Sequence, residues 1–349
     1  MKDEELIMPE EIKKEKLSLT NKGVAIGKIA EFKKNEANVA EDGTHYVNLE
    51  FVLQYSQKPE DNMKFKYRIQ DKAWDEETQS FSKENKNFEP FLKLLEVMEK
   101  NTIVQVGWED AIKIKVNTNF KANDYYSERN DEVIENTIVN ATSIVQAGLE
   151  ERYAHHFNLE GRIVDIKPER VKNKKGEYEE SGRLDVTIVT LSFGKNEAIV
   201  VKNLKIEQKF VEGFQLLYQV GDTIMVTNGI FKTRVVKIDR KTVVSDSMWG
   251  TAEEDDEDVY EFKDQSQFVN YEKHINNASA PYKEDNANYI SDELLTKVKA
   301  EREIALSTIK EKYLKKKEEG AKKSTSKLSR FDTKVPASTT PTEKKISKW

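Results

Sequence analysis

Cations that alternate with apolar residues carry the plainest chemistry in this 349-residue sequence. Met63, Phe65, Tyr67 and Ile69 interleave with Lys64, Lys66 and Arg68, and the two-residue period of a strand stands those three cations together on one sheet face. Tyr46 in the run Thr44–Tyr55, and Lys113 and Lys115 in the run Ala111–Phe120, fall at outward positions of neighbouring strands and are expected to share that face. Such a surface suits a single-stranded polyanion: cations follow phosphates, and exposed aromatic rings stack on unpaired bases at about 1–3 kcal/mol each. Trp74 and Phe81 sit in a polar stretch, where two roles stay open, stacking on a ligand or packing beneath their own loop. Trp108, at a helix-to-strand junction, is expected in the core. A second basic set, Lys172, Lys174, Lys175 and Tyr178, falls in a charged segment, and Lys232 and Arg234 flank a later turn. Glu169, Glu177, Glu179 and Glu180 dilute that set, so a solvated hairpin arm is the alternative.

Other chemistries find little support. The chain has no cysteine, which removes disulfides, thiolate zinc sites and thiol nucleophiles, and its four histidines leave little for a metal site. No phosphate-binding glycine loop, dinucleotide fingerprint or His-Glu-x-x-His motif is present, so neither catalysis nor a cofactor is expected. His155 and His156 read as a linker pair at a domain junction, with side chains pointing apart. The net charge of −6 is an average. Residues 294–349 hold 16 Lys and Arg against 7 Asp and Glu, a net of +9, which leaves −15 for residues 1–293. Six consecutive acids, Glu253 to Asp258, read as a solvated linker, as a lure for a basic protein surface, or as an internal competitor for a nucleic-acid groove. No apolar run nears the roughly 18 residues that span a bilayer, and the charged N-terminus lacks a signal-peptide core, so a cytoplasmic protein without membrane contact is expected.

The elements that must position these residues come in two similar sets. Gly27-Lys28-Ile29-Ala30-Glu31-Phe32-Lys33 is echoed by Gly161-Arg162-Ile163-Val164-Asp165-Ile166-Lys167, and Gln105-Val106-Gly107 by Gln219-Val220-Gly221. The first set reads as strands at 24–33, 44–55 and 63–69, a polar loop at 74–86, a helix at 88–98, and strands at 111–120 and 137–145. The second reads as strands at 158–166, 183–191 and 197–202, a helix at 206–217, and strands at 223–232 and 235–244, with a long charged loop at 167–182. Three strands, a helix and two more strands in about 100 residues is the order of a five-stranded OB barrel. The expectation is a mainly β chain of two tandem OB-fold barrels, each with one helix between strands three and four, plus a C-terminal helix and a disordered tail. The boundaries are 1–19 for an N-terminal tail, 20–150 and 155–248 for the barrels, 249–290 for an acidic linker, 291–320 for the helix and 321–349 for the basic tail.

On those echoes and faces the chain resembles single-stranded-DNA-binding proteins built from tandem OB folds, of the type large bacteriophages encode. The resemblance covers about residues 20–248 and is architectural. It implies sequence-independent binding and protection of single-stranded DNA in replication, recombination or repair, without a cofactor, in the host cytoplasm if the chain is phage-encoded. Replication or recombination proteins are implied partners, through the acidic linker or the C-terminal helix. Bacterial members carry an acidic C-terminal tail, whereas this chain ends in the basic Lys344-Lys345-Ile346-Ser347-Lys348-Trp349. Two other readings stay open: a phage structural protein using OB barrels to dock proteins, and an RNA-binding OB protein.

Overall fold

Alternating burial along the chain builds a mainly β protein. The computed structural model describes residues 17–75, 77–78, 80–172, 176–192, 197–244 and 260–328, with the backbone alone described at 234–244, 260–270 and 318–328. Two compact units result, Met1–Asn123 with Thr137–Ala300, and Asp124–Asn136 with Glu301–Trp349.

In the larger unit, β1 (Asn21–Val39) pairs antiparallel with β2 (His45–Gln54), and β2 with β3 (Asn62–Gln70). A short ribbon, β4 (Lys72–Asp75) with β5 (Ser80–Glu84), leads to α1 (Phe88–Lys100) and α2 (Ile103–Asp110). β6 (Lys113–Ala122) then pairs with β1 and with β9 (Thr137–Gln146). β9 runs beside β3 without joining it in a ladder. The second set repeats this connectivity. β10 (Ala154–Lys172) pairs with β11 (Tyr178–Leu191), β11 with β12 (Ala198–Ile206), and β10 with β13 (Thr223–Val244), α3 (Val211–Leu217) lying between β12 and β13. β14 (Tyr260–His274) pairs antiparallel with β13 and parallel with β12, at Leu204↔Lys273 and Lys205↔His274, so this second set of pairings returns on itself. The first residues of β1 and β10 pair from Asn21↔Leu159 to Ile26↔Ala154, joining both sets in one ten-stranded sheet.

The sequence echoes have a common physical basis. A Cβ at Gly27 would lie 2.5 Å from the Gln54 carbonyl oxygen, and one at Gly161 would lie 2.5 Å from that of Val189, so each first strand passes too close to its second for any side chain. The next residue is a buried cation in both sets: Lys28 donates to the carbonyls of Trp108 and Glu109 at the end of α2, and Arg162 to the Ile290 carbonyl and the Asp292 carboxylate. Lys28 thereby satisfies carbonyls that a helix end leaves open. Gly107 and Gly221 both turn the chain at positive φ, +81° and +104°.

One apolar core runs through both sets, with Phe51, Phe65, Ile29 and Met98 in the first and Phe157, Ile163, Leu204 and Ile206 in the second. Phe88, Phe91, Leu95 and Met98 share one face of α1 and bury it against the strands. Each such side chain contributes roughly 1.5–3 kcal/mol. His155 lies within this core, its ring stacked on Phe231 at 4.0 Å with Tyr55 and Phe65 beside it. Burial, then the neighbouring His156, pushes its pKa down to about 3. The pair read as a linker therefore sits inside β10, and the expected alternation holds, with His155 buried and His156 half-buried.

Several elements differ from the sequence expectations. Residues 167–172 and 178–182, read as loop, continue β10 and β11 as a paired ribbon, in register at Arg170↔Glu180 and Lys172↔Tyr178 and tied by the bond from Ser181 to the buried Glu169 carboxylate. Residues 235–244 are no separate strand; they continue β13, and the fifth strand of the second set is β14, within the stretch read as linker. Glu253–Asp258 lies outside the described residues. The polar stretch after β3 forms the β4–β5 ribbon, and Trp108 is half-buried, not core. In the second unit, a hairpin of β7 (Tyr125–Ser127) and β8 (Glu132–Ile134) packs on α4 (Asp292–Leu328). Arg302 bonds Asp124 at 2.9 Å and Glu135 at 3.4 Å, Lys310 pairs with Asp131 at 2.6 Å, Lys317 with Glu128, and Tyr126 with Tyr313. α4 runs past Gly320, since one glycine costs a helix only about 1 kcal/mol and strong helix formers flank it. Residues 321–328, read as tail, are thus helical, and 329–349 lie outside the described residues. No helix among the described residues is long and apolar enough to cross a membrane.

Candidate nucleic-acid interface

Antiparallel register sets the outer face of β1, β2 and β3 in cross-strand rows. Lys34 lies opposite Glu50, and Glu50 opposite Lys66; Glu36 lies opposite Asn48, and Asn48 opposite Arg68. Lys64, Lys66 and Arg68 stand exposed on this face while Met63, Phe65, Tyr67 and Ile69 turn into the core, as the period of two requires. Glu50 sits between two of the cations, 2.8 Å from Lys64 and 3.7 Å from Lys66. The hydrogen bond from Lys64 holds the Glu50 carboxyl below its ordinary range. Exposed pairs of this kind contribute at most about 1 kcal/mol, so a phosphate competes for either lysine at little cost. The Arg68 guanidinium lies 4.1 Å from the centre of the Tyr46 ring, which fixes its fork over the sheet.

Arg68 also opens onto a cleft of about 950 Å³ between β3 and β9, where those strands form no ladder. Its basic groups are Arg68, Lys72 and Lys93, and its amides include Gln70, Asn85, Asn87 and Gln146. Phe81, Phe91, Leu94, Val97 and Val145 give it apolar patches. Among the described residues that line it there is no Asp or Glu. At its edge, Trp74 and Phe81 oppose each other across the β4–β5 ribbon, edge to face at 5.2 Å, and remain 48% and 54% exposed. Asn85 pins the foot of that ribbon, its side chain donating to the Gln70 carbonyl at 2.7 Å and its backbone N–H to the Asp71 carbonyl at 2.7 Å. The two rings pack on each other, the packing role the sequence left open, and still offer faces to solvent.

Tyr46, Lys64, Lys66, Arg68, Trp74 and Phe81 are therefore gathered around one surface. Lys113 and Lys115 are not. They stand on β6, separated from β3 by β1 and β2 on one side and by β9 on the other. Lys115 is paired with Glu151 at 2.6 Å, while Lys113 donates to the Glu151 carbonyl and covers the Tyr153 ring at 4.9 Å. In the second set, Lys172 lies over its cross-strand neighbour Tyr178 at 5.2 Å, and Lys232 is paired with Glu207 at 2.5 Å. Lys174 and Lys175 lie outside the described residues, and Arg234 is described only as β13 backbone. Lys34, Lys72, Lys93 and the cleft amides were missed by sequence reasoning. Lys34 alone carried a signal, as an outward position of β1 opposite the β2 run.

Fold and site together define a mainly β protein with a basic face, an adjoining cleft whose described lining residues include no carboxylate, and exposed aromatic rings at its edge. The chain belongs to the YorF family, whose model matches residues 20–312. No curated protein matches it. Among solved structures it is similar to the wild-type single-stranded DNA binding protein from Thermus aquaticus, at 9% identity and a TM-score of 0.39, over 77% of this chain and 96% of that one. A deletion mutant of the same protein aligns at 9% identity and a TM-score of 0.38, over 77% of this chain and 97% of the other.

Proposed function

We propose that this chain binds single-stranded DNA without regard to sequence, as a non-catalytic protein of DNA replication, recombination or repair, and that its two strand sets are OB barrels in tandem. The observation that carries this reading is the basic cleft, with Arg68, Lys72 and Lys93 inside it, no carboxylate among its described lining residues, Lys64 and Lys66 beside it and Trp74 and Phe81 at its edge. A polyanion with exposed bases meets there both groups it needs, cations for phosphates and π-faces for bases. The order three strands, helix, two strands, with each first strand paired to its second and fourth, supports the barrel reading.

A fluorescence titration of labelled oligo-dT and oligo-rU at about 50 and 200 mM salt tests it. Five cations on phosphates of a single strand give a slope of log K against log salt near −3.5, at about −0.7 for each contact. Absence of binding at the lower salt removes the proposal, and tighter binding of oligo-rU transfers it to RNA.

A further inference from the structure

Counted along their second strands, Glu50 corresponds to Asp185 in the two strand sets, yet the sets treat their cations in opposite ways. In the first set Lys34, Glu50 and Lys66 form one cross-strand row. In the second, Lys167, Asp185 and Lys205 form the corresponding row. The equivalence is anchored by the glycines, since Gly27 abuts Leu53 and Gln54 where Gly161 abuts Ile188 and Val189. Lys66 has a side chain 75% exposed and lies 3.7 Å from its carboxylate. Lys205, at the matching place, is 11% exposed and clamped between Glu169 at 2.7 Å and Asp185 at 2.5 Å.

Among the described residues the clamp continues beyond Lys205. Arg183 grips Glu169 at 2.6 Å and Glu272 at 3.0 Å. His274 lies 3.2 Å from both Glu207 and Glu272. Burial works against the Glu169 charge, but hydrogen bonds from Lys205, Ser181 and Arg183 override it and hold its pKa at about 2. The Glu169 carboxylate therefore stays charged at neutral pH, held by Arg183 and Lys205. Its seam is also shut: β14 bonds directly to β12, where the first set leaves β9 and β3 apart with the cleft between them.

We propose that single-strand binding belongs to the first set alone, in the open seam between β3 and β9, and that the matching face of the second set is an ion-pair clasp that takes no strand. A phosphate entering that face would have to displace Glu169 from both Arg183 and Lys205, and would leave a buried carboxylate without a cation. The proposal rests on the single-strand reading and goes beyond it, by giving the chain one strand-binding surface in place of two.

The test compares two double variants of the full chain, each with its melting temperature checked, by titration with labelled oligo-dT at two salt concentrations. Arg68→Ala with Lys93→Ala empties the cleft of cations on exposed positions; Arg170→Ala with Lys172→Ala does the same for the exposed ribbon beside the clasp. The expected result is a loss of tenfold or more and a salt slope shallower by about 1.4 in the first variant. The second variant stays within twofold of wild type in affinity and keeps its slope. Comparable losses in the two variants, or no loss in the first, overturn the one-surface assignment while the single-strand reading survives. A wild-type chain that binds neither oligo-dT nor oligo-rU overturns both.

Discussion

Truncating Phe81 separates binding from folding more cleanly than any other change at the cleft. The ring is 54% exposed and touches Trp74 edge to face at 5.2 Å, so Phe81→Ala sacrifices about half of a phenylalanine's burial and one aromatic contact. Those losses come to roughly 1 kcal/mol from burial and about 0.5–1.5 kcal/mol from the ring pair. They fall on a two-stranded ribbon that forms its own sheet, so the global melting transition moves little. A stacked base, in contrast, loses about 1–3 kcal/mol when its aromatic platform is removed, which is roughly 5- to 150-fold in affinity. Fluorescence anisotropy of labelled oligo-dT measures the binding term, and circular-dichroism melting measures the folding term. Phe81→Leu is the control: it keeps apolar bulk on the ribbon without a π-face, so it should melt like wild type and bind nearly as weakly as the alanine variant. Wild-type affinity in Phe81→Ala, with the ribbon intact, would refute the stacking role and leave the ring as ribbon packing alone.

Two further outcomes follow from the framework. Gly27→Ala and Gly161→Ala each force a Cβ to within 2.5 Å of a backbone carbonyl oxygen, and each should lower stability in urea by about 1–3 kcal/mol or more; wild-type stability in either would show that the strands do not approach so closely. His155 has a folded pKa near 3, below the 6.5 of the unfolded chain, so the unfolded state binds the extra proton and stability falls as pH drops from about 6.5 toward 3. The slope is at most about 1.4 kcal/mol per pH unit, and His155→Phe should flatten it between pH 6.5 and 4.5, before the carboxylates titrate; an unchanged pH profile of the melting temperature would count against the burial.

Much of the architecture could be read from periodicity. The run from Met63 to Ile69 alternates without a break, and its register against β2 sets the basic comb. The helix at 88–98 showed its three-and-four spacing, and the echo of Gly27 by Gly161 marked real points of close approach. What periodicity could not reach were elements held by strand pairing and polar side chains. The ribbon at 167–182 is charged on both faces and reads as loop, and β14 shows little apolar alternation, so both look like linker until their partners are known. Charge compensation was equally invisible. Lys115 is neutralised by Glu151, 36 residues away, and Lys205 by Glu169, so counting cations on a strand does not count available cations. The cleft escaped notice because its far wall, Thr142 to Gln146, is distant in sequence from the comb and contributes no charge.

The parallel contact of β12 with β14 has a consequence for how the chain reaches its structure. It joins Lys205 to His274, so about seventy residues must be looped back to make two residue pairs. Closing a loop of that length costs roughly 4 kcal/mol in chain entropy before any contact compensates. On a ribosome, β12 emerges long before its neighbour and waits with an unpaired edge, the kind of edge that invites association with other chains. The strands of the first set lie within residues 21–146, so most of its ladders can form while the second is still being made. The part that offers the cleft is thus first to mature, and the part that carries the clasp is the slow step and the one exposed to misassembly.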